Sequence, residues 1–284
     1  MPSNDDDGIG LMMSTSTKSP VFFLSHGAPT FAIEPGALGS TLQILGEQLS
    51  NLRAVLVLSP HWQTKNLAIM STILPKTMHD FGGFPSKLYD LQYQAKGQPD
   101  IAKEAAILLA TAGWTTQFDD HRGFDHGAWV PLMHLLPKAH IPVFQVSMPF
   151  DLNTQQAFKL GQTLEPLRHH GVLIVASGNM THNLGELRSP DSLPVDYAQE
   201  FASWVKTKLI SNAINSLMLY RTEAPYAERA HPTEEHFLPL LFALGTLGTR
   251  DAVQFIAGGT TYGVLSMDSY AWGMPNHGTV RSLV

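Results

Sequence analysis

The chain has 284 residues, 44% hydrophobic and 15% charged. That is enough apolar sequence for one large or two small cores, and it excludes a disordered protein. Against 24 Asp and Glu stand 18 Lys and Arg, a formal charge of −6, so no basic surplus exists to hold nucleic acid; cysteine is absent, which excludes disulfides, thiolate metal sites and thiol nucleophiles.

Residues 1–19 are polar and acidic and lack the basic start and apolar block of a signal peptide. They are expected to form a flexible leader ahead of a single domain at 20–284. Five short apolar runs read as strands: Val21–Leu24, Ala54–Leu58, Ile141–Val146, Val172–Ala176 and Val253–Ala257. Their β-branched and aromatic content without alternation suits a sheet covered on both faces. Helical patterns lie between them at Gly36–Asn51, Pro99–Ala112, Ala128–Leu136, Asn153–His169, Pro194–Ile210 and Glu234–Leu244. Lys65–Lys96, rich in Pro, Gly and Tyr, reads as an excursion with short strands of its own. The alternation predicts an α/β sandwich with a mainly parallel or mixed central sheet flanked by helices. No run reaches the roughly 20 apolar residues of a membrane helix, so a cytoplasmic protein away from membranes is expected.

Thirteen histidines stand out in a chain without cysteine. Three predicted strands run into one: VFFL into Ser25-His26-Gly27, AVLVL into Ser59-Pro60-His61, and VLIVA into Ser177-Gly178 and on to His182. In an open α/β sheet the ligand crevice lies outside the carboxyl ends of the strands, where these imidazoles are able to converge. Gly27 and Gly178 would let the backbone turn sharply there. Any one of the three is equally well a core histidine; three at matching strand ends are harder to explain so.

In His231-Pro232-Thr233-Glu234-Glu235-His236, Thr233 reads as an N-cap and the two glutamates as first-turn acids complementing a helix dipole. The positive end of that dipole favours a neutral, metal-binding imidazole at His236, whereas His231 precedes a proline in extended backbone. The stretch Asp120–Leu132 reads as a glycine-bracketed loop entering a helix. It either places His126 at a pocket mouth or is a junction capped by Asp125. His79, His134, His140, His169, His170 and His277 are expected to be surface or structural. GxGxxG, P-loop, HExxH and GxSxG signals are all missing.

SHGAPT, SPHW, RGFDHGAWVPL, GNMTHN, HPTEEHFLPL and YGVLSMDSYAW, in this order from about residue 20 to the C-terminus, resemble the class III extradiol ring-cleavage dioxygenases, and within them the 4,5-DOPA extradiol branch. The resemblance implies a catalytic domain at 20–284 that opens a substituted catechol such as L-DOPA with O2, giving a muconic semialdehyde. It implies that His26 and His61 ligate one divalent metal. The third ligand is His236, with Glu235 in reserve because the wider family often uses a glutamate there. His182 becomes the acid/base residue, close enough to be a fourth ligand without substrate, and His126 contacts substrate or O2. Oxygen activation needs a redox-active ion, so Fe(II) is expected for activity, whereas imidazoles also hold Zn(II) well and zinc is expected in purified protein. Two other readings stand beside it: a zinc-dependent hydrolase that uses the same imidazoles with a metal-bound hydroxide, and a non-enzymatic binding protein on the same scaffold, which would need one of the four central histidines to be missing, whereas all four are present. Pocket shape is expected to involve Trp62, Trp129, Phe31 and the 65–96 excursion.

Overall fold

A computed structural model describes residues 18–275; residues 1–17 of the expected leader and His277 lie outside that range. Ten strands and nine α-helices are described. The strands are β1 (Val21–Ser25), β2 (Ala54–Thr64), β3 (Leu67–Met70), β4 (Thr116–Asp119), β5 (Val143–Pro149), β6 (Val172–Gly178), β7 (Val253–Ile256), β8 (Thr260–Thr261), β9 (Leu265–Ser266) and β10 (Ser269–Trp272). The helices are α1 (Gly36–Glu47), α2 (Pro99–Thr111), α3 (His126–Leu135), α4 (Thr154–Leu164), α5 (Asp196–Ile210), the short α6 (Ile214–Met218), α7 (Tyr220–Glu223) and α8 (Ala227–Ala230), and α9 (Leu238–Gly245). None of them is long and apolar enough to cross a membrane.

Eight strands form one mixed sheet in the order β4-β3-β5-β2-β6-β1-β10-β7. Its centre, β5-β2-β6-β1, is parallel throughout. The apolar runs account for this: every residue of β1 and β6 is buried, as strands covered on both faces require. Helix α9 packs on β6 and β1 with α4 outside it, and α3 packs on β2 and β6 with α1 outside it. Because the four central strands are parallel, their carboxyl ends share one edge of the sheet.

Several expected elements differ. The helix expected at Glu234–Leu244 begins only at Leu238, so Thr233 is not its N-cap. Proline is tolerated in a first turn but not in a helix interior, and Pro239 therefore fixes the start. The segment expected as one helix to His169 ends at Leu164 and continues as a 3-10 turn through Pro166, since Pro166 has no N–H to give the carbonyl four residues back and its ring crowds that carbonyl. The run at 253–257 is a half-buried edge strand, antiparallel to β10, not a central one. Strands β4 and β10 are not among the runs read from the sequence, whereas β3 falls inside the expected excursion.

One ion pair ties the start of the described chain to the far side of the core. The fully buried Arg168 donates to Asp251 Oδ2 at 2.6 Å and Oδ1 at 3.1 Å, to the Thr246 carbonyl at 2.7 Å and to the Ser19 carbonyl at 2.8 Å. Burial pushes the Asp251 carboxyl up, but the Arg168 hydrogen bonds, the Gly248 N–H and the charges of Arg168 and Lys18 together outweigh it and hold it below its ordinary value. Asp251→Ala strands a buried guanidinium and is expected to cost about 3–5 kcal/mol at pH 7. Because the folded pKa is depressed, that contribution is complete above the unfolded value near 4 and is lost as pH falls through the folded one. Denaturation across pH should show the gap between native protein and variant closing in acid; a gap independent of pH contradicts the pairing.

Candidate metal centre

The six residues singled out in the sequence, His26, His61, His126, His182, Glu235 and His236, all line one cavity of about 600 Å³ at the carboxyl edge of the central strands. His26 follows β1 directly. His61 sits in β2 within the register break between Leu58 and Gln63. His182 lies in the loop after β6, and His126 is the first residue of α3, which Asp125 caps by accepting from Ala128 N at 3.2 Å. His236 occupies the turn ahead of α9, so its place owes nothing to a first-turn position inside that helix.

Close backbone contacts fix the turns. Gly27 has φ +62°, a conformation glycine adopts without strain, and its N–H donates to Asn179 Oδ1 at 2.8 Å. Gly178 lies so near the His236 carbonyl that a Cβ would come within 2.4 Å of that oxygen. The loop 179–183 is laced to the segment 229–236: Asn179 N donates to His236 O at 3.0 Å, His182 N to Ala230 O at 2.8 Å, and Asn183 Nδ2 to Arg229 O at 2.8 Å. His231, fully buried against Phe201, Tyr220 and Phe237, adds a bond to the Met180 carbonyl at 3.0 Å. Sequence reasoning passed over His231; it ties together the two segments that carry His182 and His236.

The imidazole nitrogens sort into facing and anchored sets. His26, His61 and His236 each offer one ring nitrogen, and these atoms all lie within 4.8 Å of one another; Nε2 of His26 is 3.0 Å from Nε2 of His61. Pro131 inside α3 has no N–H, which leaves the Gly127 carbonyl without its helical partner. The Ser177 hydroxyl donates to that carbonyl. A hydroxyl has a single proton, so Ser177 Oγ must accept from His26 Nδ1, 2.9 Å away. The remaining nitrogen of His26, Nε2, therefore carries a lone pair toward His61. His236 behaves alike: Nδ1 donates to Glu235 Oε1 at 3.1 Å, while the buried Nε2 has no hydrogen-bond partner. Two imidazoles with their outer nitrogens anchored and inner lone pairs aimed at a shared point fit a cation.

Burial is the first cause of lowered basicity here. It holds His26 and His236 well below the usual imidazole range, aided by the neighbouring imidazoles. It brings His61 down to about 4, against the pull of Asp125 and Asp80, and His182 to about 4, against Glu235. The neutral form is the one that ligates metal. His182 stacks on His236 with ring centres 3.5 Å apart and groups with Glu235 and His236 in a second set. His61, Asp80 and His126 form a third. Asp80, which the sequence reading missed, accepts from His126 N at 2.9 Å. Below them Asp125 accepts from Ser59 Oγ at 2.6 Å, Gln145 Nε2 at 2.8 Å and Arg122 at 2.8 Å. Nothing in the spacing of Asp80 marks it; only the loop path brings it in.

Three residues expected to shape the pocket do not line it. Trp62 is buried beneath Arg122, Trp129 donates to the Met78 carbonyl, and Phe31 packs on His134; each satisfies a packing need elsewhere. Phe81, Gly82 and Phe84 of the excursion are on the wall instead. His134 and His79 donate to the Phe31 and Leu91 carbonyls, and His140, His169 and His170 are exposed.

Residues 21–270 match the family described as the catalytic LigB subunit of aromatic ring-opening dioxygenase. The 4,5-DOPA dioxygenase extradiol of Beta vulgaris is 37% identical over 91% of this chain and 98% of its own, and that of Escherichia coli 35% over 90% and 95%. The crystal structure of the uncharacterized protein JW3007 from Escherichia coli K12 superposes with a TM-score of 0.74 at 30% identity, covering 89% of this chain and 99% of that one. These likenesses favour neither a zinc hydrolase nor a non-enzymatic binder. The chain belongs to the LigB family and is an aromatic ring-opening dioxygenase of the extradiol type.

Proposed function

We propose that His26, His61 and His236 hold one divalent metal ion and that the chain opens a substituted catechol, L-DOPA being the first candidate, to a muconic semialdehyde. The observation carrying this reading is the convergence of three neutral imidazoles from distant segments, two with their outer nitrogens anchored. When bound, a redox-active ion such as Fe(II) supplies the electron relay between catechol and O2 that closed-shell zinc cannot. Glu235, engaged by Thr233 Oγ1 at 2.8 Å and by His236 Nδ1, orients His236 rather than replacing it.

The remaining residues move protons and position the ring. His182, neutral at pH 7, accepts a proton from a catechol hydroxyl and, as imidazolium, returns it to the opening product. Its stacking on His236 keeps it beside the ligand set, where it also serves as a fourth ligand without substrate. His126, held by Asp80, presents its ring to substrate or O2.

Metal analysis of purified variants separates these roles. His26→Ala, His61→Ala and His236→Ala are each expected to lose the ion and all oxygen uptake, and Glu235→Ala to keep a measurable share of metal. His182→Ala should retain metal and lose at least about 100-fold in turnover; normal turnover removes it from the mechanism. Ser177→Ala frees the outer nitrogen of His26 and should weaken metal binding by roughly 10–100-fold with an unchanged circular dichroism spectrum. Unchanged affinity contradicts the orienting role. Protein as purified is expected to carry zinc and to take up oxygen with a catechol only after anaerobic exchange for Fe(II); equal rates with both ions contradict the redox role.

A further inference from the structure

Beside the catalytic cavity lies a second one of about 200 Å³, whose walls include Thr30, Glu34, Asp191 and Met267. Ala28 and Tyr262 line both cavities. Tyr262 opens the YGVLSMDSYAW stretch and heads the turn of the β8–β9 hairpin, where Val264 N donates to the Thr261 carbonyl at 3.3 Å. Its φ is +53° and that of Gly263 is +69°. Hairpin turns with positive φ at both central residues are ordinarily filled by Asn-Gly, Asp-Gly or Gly-Gly, and a bulky side chain at the first position is strained. The turn itself therefore gives no reason for a tyrosine.

What the tyrosine adds is a ring held from several sides. Its N–H donates to the Pro190 carbonyl at 3.0 Å, and its carbonyl accepts from Arg188 N at 3.0 Å. Its hydroxyl is hydrogen-bonded to Thr30 Oγ1 at 3.1 Å, in the segment that continues from His26. The phenol ring is thus fixed where the two cavities meet.

We propose that Tyr262 is a partition that decides which of two ring bonds the site opens. The inference rests on the ring-cleavage reading above. A catechol substituted at position 4 has two ring bonds flanking the diol. Turning the ring over about the axis that bisects the diol leaves both oxygens at the imidazole cluster and exchanges those bonds. Cleaving either one places both atoms of one O2 in the product, one in a carboxyl and one in an aldehyde, so the chemistry does not choose between them. The room open to the substituent does. In one orientation the substituent extends into the outer part of the cavity; in the other it runs against Tyr262, at the cost of overpacking a filled site. Without the phenol ring, the second cavity supplies the missing space.

The test uses the full chain reconstituted with Fe(II) and given L-DOPA or 4-propylcatechol, with the ring-opened products separated by chromatography and assigned by NMR. Native protein should give one of the two products in at least about tenfold excess. Tyr262→Gly suits the turn better than the native residue, and it should retain metal and give both products within about threefold of each other. Tyr262→Phe keeps the ring and should keep the native ratio. Tyr262→Asn, also at home with positive φ, should behave as Tyr262→Gly and replaces it if that protein does not purify. Crystals of the Zn(II)-loaded, inactive protein with 4-propylcatechol should show one ring orientation in native protein and two in Tyr262→Gly, and they decide the matter for any variant that does not turn over. Mixed products from native protein, or a native ratio from Tyr262→Gly or Tyr262→Asn, overturns the inference and leaves ring cleavage standing. Absence of oxygen uptake by native protein with both catechols overturns the ring-cleavage reading itself.

Discussion

Several imidazoles buried in mutual contact are tolerable only if they stay neutral and each nitrogen has somewhere to point. That constraint organises this molecule. The outer nitrogens are consumed by protein acceptors: the Ser177 hydroxyl for His26 and the Glu235 carboxylate for His236. The inner nitrogens are left for one another: Nε2 of His26 carries its lone pair toward His61 Nε2, 3.0 Å away, and Nε2 of His236 has no hydrogen-bond partner. Burial supplies neutrality by disfavouring the imidazolium. An arrangement of this kind is electrostatically poor by itself and becomes favourable around a cation, as expected for an enzyme that depends on a metal.

The scaffold delivers this arrangement through choices made well away from it. Pro131, inside α3, gives up one backbone hydrogen bond, and the freed Gly127 carbonyl takes the Ser177 proton, which in turn fixes the His26 tautomer. Pro239 delays the start of α9, so His236 sits in a turn whose carbonyl approaches Gly178 rather than on a helix face. Asp125 caps α3 while collecting Ser59, Gln145 and Arg122 beneath the cavity. The parallel centre of the sheet then brings β1, β2 and β6 to one edge, where their loops are short enough to bring the histidines together.

The central strands were legible because both faces are buried and the runs are apolar without interruption. The grouping of His26, His61 and His182 followed from the strand ends. Strand β4 was not legible, since three of the four residues of its TQFD sequence are polar and it lies at a sheet edge, and β10 lies in a closing segment whose pairing with β1 is set by tertiary contact. The acids of 233–236 imitate a capped first turn, yet Pro239 decides where the helix begins; His236 reaches the cavity for a reason other than a helix dipole. Asp80, Ser177 and His231 carry no pattern of their own, because they matter only through partners distant in sequence. The aromatic residues chosen for the pocket were drawn by nearness to histidines in the chain, whereas Phe81 and Phe84 arrive by the path of a long loop.

The central claim is that His26, His61 and His236 share one ion. An anomalous difference map from a crystal of the metal-loaded protein tests it most directly. The account predicts a single peak within bonding distance, about 2.0–2.1 Å, of one ring nitrogen from each of these three residues. A peak centred instead on the His61, Asp80 and His126 group, or on His182 and Glu235 without His26, would contradict it.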